Sequence, residues 1–165
     1  MKTVILIGAQ GKMGQAALSG LGKHNVITAS RSGEGCDFQV DITSRESIER
    51  LYQNVGSFDA VVNTAGYCEY APFGEMSDEQ WQTTIQSKLM GQINLVNVGL
   101  NYINQGGSFT LISGILNIKP IPLAIADATT SGRARGRCRK LLRAVSTQRK
   151  VLAPQVCPPR HGIPR

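Results

Sequence analysis

The sequence predicts an α/β protein built as a three-layer, doubly wound parallel sheet, incomplete at its C-terminal side, and three observations carry that expectation. Short β-branched apolar runs alternate with stretches of helical period, a glycine turn stands between the first run and the first helix, and capping-box sequences open two later helices. With 165 residues and 41% hydrophobic content the chain is long enough to bury one core.

Thr3–Ile7 is a β-branched apolar run and reads as the first strand. Gly8-Ala-Gln-Gly11-Lys-Met-Gly14 follows as a tight turn, and a helix is expected from Gln15 to Leu21. Asn25–Ala29 is the second strand, closing into Ser30-Arg31-Ser32-Gly33, and Asp37–Val40 is a short third. Thr43-Ser-Arg-Glu46 has the spacing of a capping box, in which a hydroxyl and a glutamate satisfy each other's backbone N–H groups, ahead of a helix carrying Ile48, Leu51 and Tyr52. Ala60–Asn63 is the fourth strand, closed by Thr64-Ala65-Gly66. Ser77-Asp-Glu-Gln80 is a second capping box before a long helix through about Asn104, stopped by Gly106-Gly107, and Ser108–Ile112 is the fifth strand. Strands separated by helices need crossover connections, which favour parallel pairing.

Charge divides the chain. Residues 1–127 hold 8 Lys and Arg against 11 Asp and Glu, a balance of −3, whereas residues 128–165 hold 10 basic residues and no acid. Arg133, Arg135, Arg137 and Arg139 recur without a hydrophobic period, only Leu141, Leu142 and Val145 suggest a brief helix, and prolines crowd the end. The expected division is therefore a domain over residues 1–132 and a basic, irregular tail over 133–165. Cys36, Cys68, Cys138 and Cys157 have no C-x-x-C spacing and only two histidines to join them, so they read as free thiols and no metal site is expected. No run reaches the ~18–20 apolar residues of a membrane span and Met1-Lys2 leads straight into a strand, so a cytoplasmic location without membrane attachment is the expectation.

A strand, a glycine turn and a helix in succession let backbone approach a pyrophosphate at a helix N-terminus, where unpaired N–H groups and the helix dipole favour negative charge. Gly8, Gln10, Gly11, Lys12, Met13 and Gly14 are the candidate residues, and this context makes the domain a dinucleotide-binding Rossmann fold. At the end of the second strand an acid would hold a ribose 2′-hydroxyl, whereas an arginine suits a 2′-phosphate. Ser30-Arg31 stands there, which favours NADP(H) over NAD(H).

These pieces resemble the short-chain dehydrogenase/reductase family, whose members carry a glycine turn after the first strand, an Asp-aliphatic pair near the adenine and Asn-Asn-Ala-Gly after the fourth strand. Here those are Gly8 to Gly14, Asp41-Ile42 and Asn63-Thr64-Ala65-Gly66. Ser87-Lys-Leu-Met-Gly-Gln-Ile-Asn-Leu-Val96 and Ser113-Gly-Ile-Leu116 with Pro120-Ile-Pro122 look like a small bacterial subgroup of short proteins that lack the usual active-site residues. The resemblance spans roughly residues 1–132 and implies an NADP(H)-dependent oxidoreductase acting on a carbonyl or alcohol of a small molecule. In the family a tyrosine is the general acid and base, a lysine supports it, a serine positions the carbonyl and an asparagine serves a water relay. The resemblance puts Lys88 at the asparagine, Ser113 or Gly114 at the serine, Asp127 at the tyrosine and Ser131 at the lysine, and no Tyr-x-x-x-Lys occurs in the chain. Asp127, Lys88 and Ser113 are the candidate catalytic residues. Two further readings stand beside this one: a non-catalytic, regulatory dinucleotide-binding module, and nucleic-acid binding through the arginine-rich tail, which lacks the interleaved aromatics that stack on bases. Association into a homo-oligomer is compatible with all three.

After Ser131-Gly132 the family continues with an Ala-Leu-Glu helix and a sixth strand, neither of which is present. The string GGGCGCGCTCGAG reads Gly-Arg-Ala-Arg in one frame and Gly-Ala-Leu-Glu in the next, so the tail reads as a frameshifted ending that leaves the fifth strand as an edge and one sheet face uncovered. Sequencing of the gene is expected to show an alternative frame that encodes the missing strand.

Overall fold

The computed structural model describes residues 1–117, 119 and 121–131. The expected tail over 133–165, its brief helix near Leu141 and Pro120 of the Pro-Ile-Pro motif lie outside them. Five strands, β1 (Thr3–Ile7), β2 (Asn25–Ser30), β3 (Phe38–Gln39), β4 (Phe58–Asn63) and β5 (Ile103–Thr110), form one parallel sheet in the order β3-β2-β1-β4-β5. The expected doubly wound α/β sheet is what the chain forms. The helices are α1 (Lys12–Gly20), α2 (Arg45–Val55), α3 (Asp78–Thr84), α4 (Gly91–Gly99) and α5 (residues 125–131), with a π-helical turn over Ile85–Met90 between α3 and α4.

β1 takes the centre because it is the strand with apolar residues on both faces. Val4, Ile5, Leu6 and Ile7 are all buried, as a strand paired on both sides and covered above and below requires. Ile5 and Ile7 face the larger core, with Ile48, Leu51 and Tyr52 of α2, Leu95, Val96 and Val98 of α4, and Phe58, Val61 and Phe109 of the neighbouring strands. Tyr52 and Phe58 stack with centroids 5.0 Å apart and Phe58 meets Phe109 edge-on at 6.3 Å. Each such fully buried side chain contributes about 1.5–3 kcal/mol by removing apolar surface from water. The Tyr52 hydroxyl donates to the Leu95 carbonyl at 3.0 Å, so the one polar atom of that ring is satisfied inside the core, where burial pushes its phenol far up. The opposite face is thinner: α1 buries only Gly14, and Leu18 stays 38% exposed. Among the described residues no helix is long and apolar enough to cross a membrane.

Several boundaries differ from expectation, among them the start of β4 at Phe58 rather than Ala60 and the span of β5, Ile103–Thr110 rather than Ser108–Ile112. α1 begins at Lys12 rather than Gln15, since Gly11 in extended geometry already caps it. α2 is capped by Ser44, whose hydroxyl accepts from the Ser47 N–H, and not by Thr43, whose hydroxyl is taken by Asp41 at 2.7 Å. The capping box at Ser77 and Gln80 is present in both directions, at 3.3 and 2.9 Å. The helix it opens ends at Gly99, short of Asn104, because Ile103 pairs with Phe58 and is buried there at 7% exposure. Gly106-Gly107 lies inside β5, not at a helix end; the pairing slips between Phe58–Ile103 and Ala60–Ser108, so the glycines fall in an irregular stretch of strand.

Gln92, 1% exposed, ties α4 to the end of β5. Its amide donates to the carbonyls of Lys88 (2.7 Å) and Ile112 (3.0 Å) and accepts from the Ile112 N–H at 2.8 Å. Gln92→Leu keeps the volume but strands the buried groups of Ile112, and is expected to lower stability by about 1–3 kcal/mol, read as a lower urea midpoint at unchanged slope.

Candidate functional site

The strand order reverses between β1 and β4, and in a doubly wound sheet a crevice opens beyond the C-terminal ends of the strands at that point. The two ends are stitched together here. The Thr64 N–H donates to the Ile7 carbonyl at 2.8 Å, and its hydroxyl reaches the carbonyls of Ile7 (2.9 Å) and Gly8 (3.1 Å). Asn63 folds its own amide around Ala65, giving to the carbonyl at 2.9 Å and taking from the N–H at 3.2 Å. Asn63 and Thr64 thus shape the rim from behind, while Ala65 and Gly66 face a cleft of about 220 Å³.

Gly8 turns out of β1 at φ +82°, where a side chain would also meet the Ala65 nitrogen at 2.8 Å. Gly14 is required for a different reason: a Cβ there would lie 2.1 Å from the Gly8 carbonyl oxygen. Chain and helix therefore pass in backbone contact, and the first turn of α1 has no side-chain cap on its N–H groups. Gly11, Lys12 and Met13 are exposed on this turn, and Gln10 reaches across it to accept from the Ser32 hydroxyl at 3.3 Å.

Four of the other expected residues line the cleft itself, whereas Gln10, Gly11, Lys12, Met13 and Gly14 are not among its lining residues. Ser30, Arg31, Asp41 and Ile42 stand along its β2–β3 side. Ser30 is buried and accepts from the Gly33 N–H at 3.1 Å, whereas Arg31 is exposed and has no ion pair among the described residues. Asp41 accepts from Thr43 N–H at 2.9 Å, which fixes the loop that carries Ile42. Sequence reasoning missed Tyr67 and Ser87, which close the far wall. Tyr67 directly follows the Asn-Thr-Ala-Gly motif, and Ser87 precedes Lys88, so adjacency to those residues was the available signal.

The four family positions assigned by resemblance come together in a second cluster, bordering the cleft at Gly66, whose Cα faces the Lys88 side chain. Lys88 Nζ lies 2.6 Å from Asp127 Oδ1, and the Ser131 hydroxyl donates to the same oxygen at 2.7 Å. Ser131 in turn accepts from the Gly114 N–H at 3.1 Å, and the Ser113 hydroxyl donates to the Ser131 carbonyl at 3.1 Å. Tyr70, absent from the expected set, sets its hydroxyl 3.4 Å from Asp127 Oδ2. The π-helical turn supplies Ser87 and Lys88, and such turns concentrate at functional sites. Among the described residues no three His, Cys, Asp or Glu side chains converge as a metal site would need.

Electrostatics makes the pair ionic at neutral pH. Desolvation pushes the Asp127 carboxyl up, but hydrogen bonds from Lys88 and Ser131 outweigh it and hold it below the usual carboxylate range. Desolvation pushes the Lys88 ammonium down, and Asp127 and the Cys68 sulfur together outweigh that, leaving it above its ordinary value. A lowered acid stabilises the fold above its unfolded value near 4 and loses that contribution as pH falls through the folded value; a raised lysine loses its contribution only as pH rises past its folded value. Asp127→Asn, which leaves the ammonium buried without its partner, is expected to cost about 3 kcal/mol at pH 7 and to flatten the acid-side loss of stability, measured by urea unfolding between about pH 2 and pH 5.

Comparison with known proteins bears on the family and the fold. The family described as enoyl-(acyl carrier protein) reductase matches residues 15–146. The 3-oxoacyl-(acyl-carrier-protein) reductase of Thermotoga maritima is 28% identical over 129 residues, covering 71% of this chain and 52% of that protein. An uncharacterised oxidoreductase of Escherichia coli K12 is 27% identical over 115 residues, 68% of this chain and 45% of its own length. The chain thus spans about half the length of the curated relatives it matches. The crystal structure of protein lin1944 from Listeria innocua superposes with a TM-score of 0.86 at 37% identity, covering 92% of this chain and 74% of that one. A small-chain dehydrogenase solved in complex with NADPH shares the fold at a TM-score of 0.80 and 23% identity, over 88% of this chain and 66% of its own. From its parallel sheet, its glycine turn and these matches, the chain belongs to the short-chain dehydrogenase/reductase family.

Proposed function

We propose that residues 1–132 form an NADP(H)-binding domain of an oxidoreductase acting on a carbonyl or alcohol substrate. The observation that carries this reading is the cleft at the strand-order reversal, lined by Gly8 of the glycine turn, by Ala65 and Gly66, and by Arg31, a guanidinium with no carboxylate partner among the described residues. The fit follows from donor chemistry. Gly8 and Gly14 set the tight turn and the close helix–strand packing, Gly11 is the exposed glycine at which backbone would approach a pyrophosphate, with Gln10, Lys12 and Met13 around it, and the uncapped N–H groups and helix dipole would supply positive charge. Ser30 and Arg31 would take the 2′-phosphate, Asp41 and Ile42 the adenine, and the Asn63–Gly66 segment the ribose on the nicotinamide side. When bound, the nicotinamide exchanges a hydride with the substrate carbon.

The Lys88–Asp127 pair shapes what remains. Asp127 is ionised and has no proton to give, so its part is to hold Lys88, while the Ser113 hydroxyl is held by the Ser131 carbonyl at 3.1 Å. An ionised aspartate at the family's tyrosine position also favours a second reading, a regulatory module that binds the dinucleotide without turnover.

Fluorescence titration of the purified chain separates the readings. NADPH is expected to bind more tightly than NADH, and Arg31→Asp to weaken NADPH by about 10- to 100-fold through loss of a charge-assisted contact while changing NADH little. Binding with no carbonyl-dependent oxidation of NADPH would favour the regulatory module; no binding by a folded chain would refute both.

A further inference from the structure

We propose that Tyr70 is the proton donor of this site, a role taken over by a loop residue from the helix position that holds Asp127. The inference rests on the NADP(H) oxidoreductase reading above and deepens it.

The placement of Tyr70 is unusually determined for a loop. The Tyr67 N–H donates to the buried Ser87 hydroxyl at 2.8 Å, the Glu69 N–H to the buried Thr84 hydroxyl at 3.0 Å, and the Ala71 N–H to the Leu123 carbonyl at 3.0 Å. Three of five consecutive residues are thus pinned, two to the α3–π segment and one to the loop before α5. Leu123 itself holds φ 70°, a conformation that a leucine occupies only at some cost. The result is a ring whose hydroxyl reaches Asp127 Oδ2 at 3.4 Å while the residue stays 54% exposed.

The other groups of the cluster are committed. Asp127 carries no proton, the Lys88 ammonium is paired with it at 2.6 Å and held above its ordinary value so that it keeps its protons, the Ser131 hydroxyl is spent on the same carboxylate at 2.7 Å, and the Ser113 hydroxyl points to a backbone carbonyl at 3.1 Å. Tyr70 holds its proton only through a long contact, and burial and the Asp127 charge keep its phenol protonated at neutral pH. It can therefore turn its O–H to a substrate oxygen without breaking a strong bond. As a C–H bond forms at the carbonyl carbon with the hydride, the C=O electron pair moves to oxygen, the Tyr70 O–H bond breaks and the proton joins that oxygen. The phenolate left behind feels the Lys88 ammonium and regains its proton from solvent, which the exposure of the residue permits. Phe73, Ile115, Ile121 and Leu123 are exposed apolar residues on the two loops that meet at Ala71 and Leu123, which suits an apolar carbonyl compound as the substrate.

The test uses the whole chain, with 9,10-phenanthrenequinone as an apolar carbonyl probe. Tyr70→Phe is expected to leave NADPH affinity, by fluorescence titration, within about twofold and to lower kcat for quinone reduction by ~10²-fold or more, the usual scale of a lost general acid. Ultraviolet titration at alkaline pH is expected to lose one phenol in Tyr70→Phe, and that phenol to titrate lower in Asp127→Asn, which a tyrosine merely lying on the surface would not do. A Tyr70→Phe rate equal to wild type, a phenol indifferent to Asp127, or NADPH binding without quinone turnover in the wild type would each overturn the proposal. A folded wild type that does not bind NADPH fails the oxidoreductase reading first, and is distinguished by that titration alone.

Discussion

The backbone contact between Gly14 and the Gly8 carbonyl is the constraint on which the site depends. With 2.1 Å between an added Cβ and that oxygen, no other residue allows α1 to leave β1 at this angle. The turn that this contact permits brings Gly8 to the crevice at the strand-order reversal, beside Thr64, which bridges the ends of β1 and β4. Burial on the α2–α4 side then locks the sheet that carries both ends. Packing supplies the stability, and two glycines decide where the stable sheet opens.

Much of this was legible in the residues. The β-branched runs, the glycine spacing and the Ser77 capping box each encode structure locally, and the strands and turn they predict are present. The errors fell where long-range pairing overrides local pattern. Residues 100–104 continue a helical pattern, but Ile103 gains more by pairing with Phe58 and burying its side chain than by adding another helical turn. Thr43 and Ser44 are equivalent caps on paper, and only the hydrogen bond from Thr43 to Asp41 breaks the tie.

The cleft residues show the same division. Those near the glycine turn and the Asn63–Gly66 motif could be named because backbone geometry there is a property of a short segment. Tyr67, Tyr70 and Ser87 could not, since each matters through partners 20 or more residues away, 57 in the case of Tyr70 and Asp127. Lys88 and Asp127 were singled out separately by resemblance, but nothing in a linear reading says that they are partners or that both are ionised. Burying two charges stabilises a fold only when geometry and auxiliary hydrogen bonds are both favourable, and here Ser131 supplies the auxiliary bond.

The π-helical turn over Ile85–Met90 serves more than the site. A π turn accommodates one residue more than the α-helical turn it replaces, and along a helix each residue is worth about 100° of rotation. Ser87 and Lys88 therefore face the cleft by virtue of a single surplus codon, while α4 beyond it stays in phase with the sheet through Gln92 and Leu95. Loss of that residue would turn both side chains away, breaking the Lys88–Asp127 pair and the bond from the Tyr67 N–H to Ser87, so the surplus residue serves the fold of the loop as well as the site.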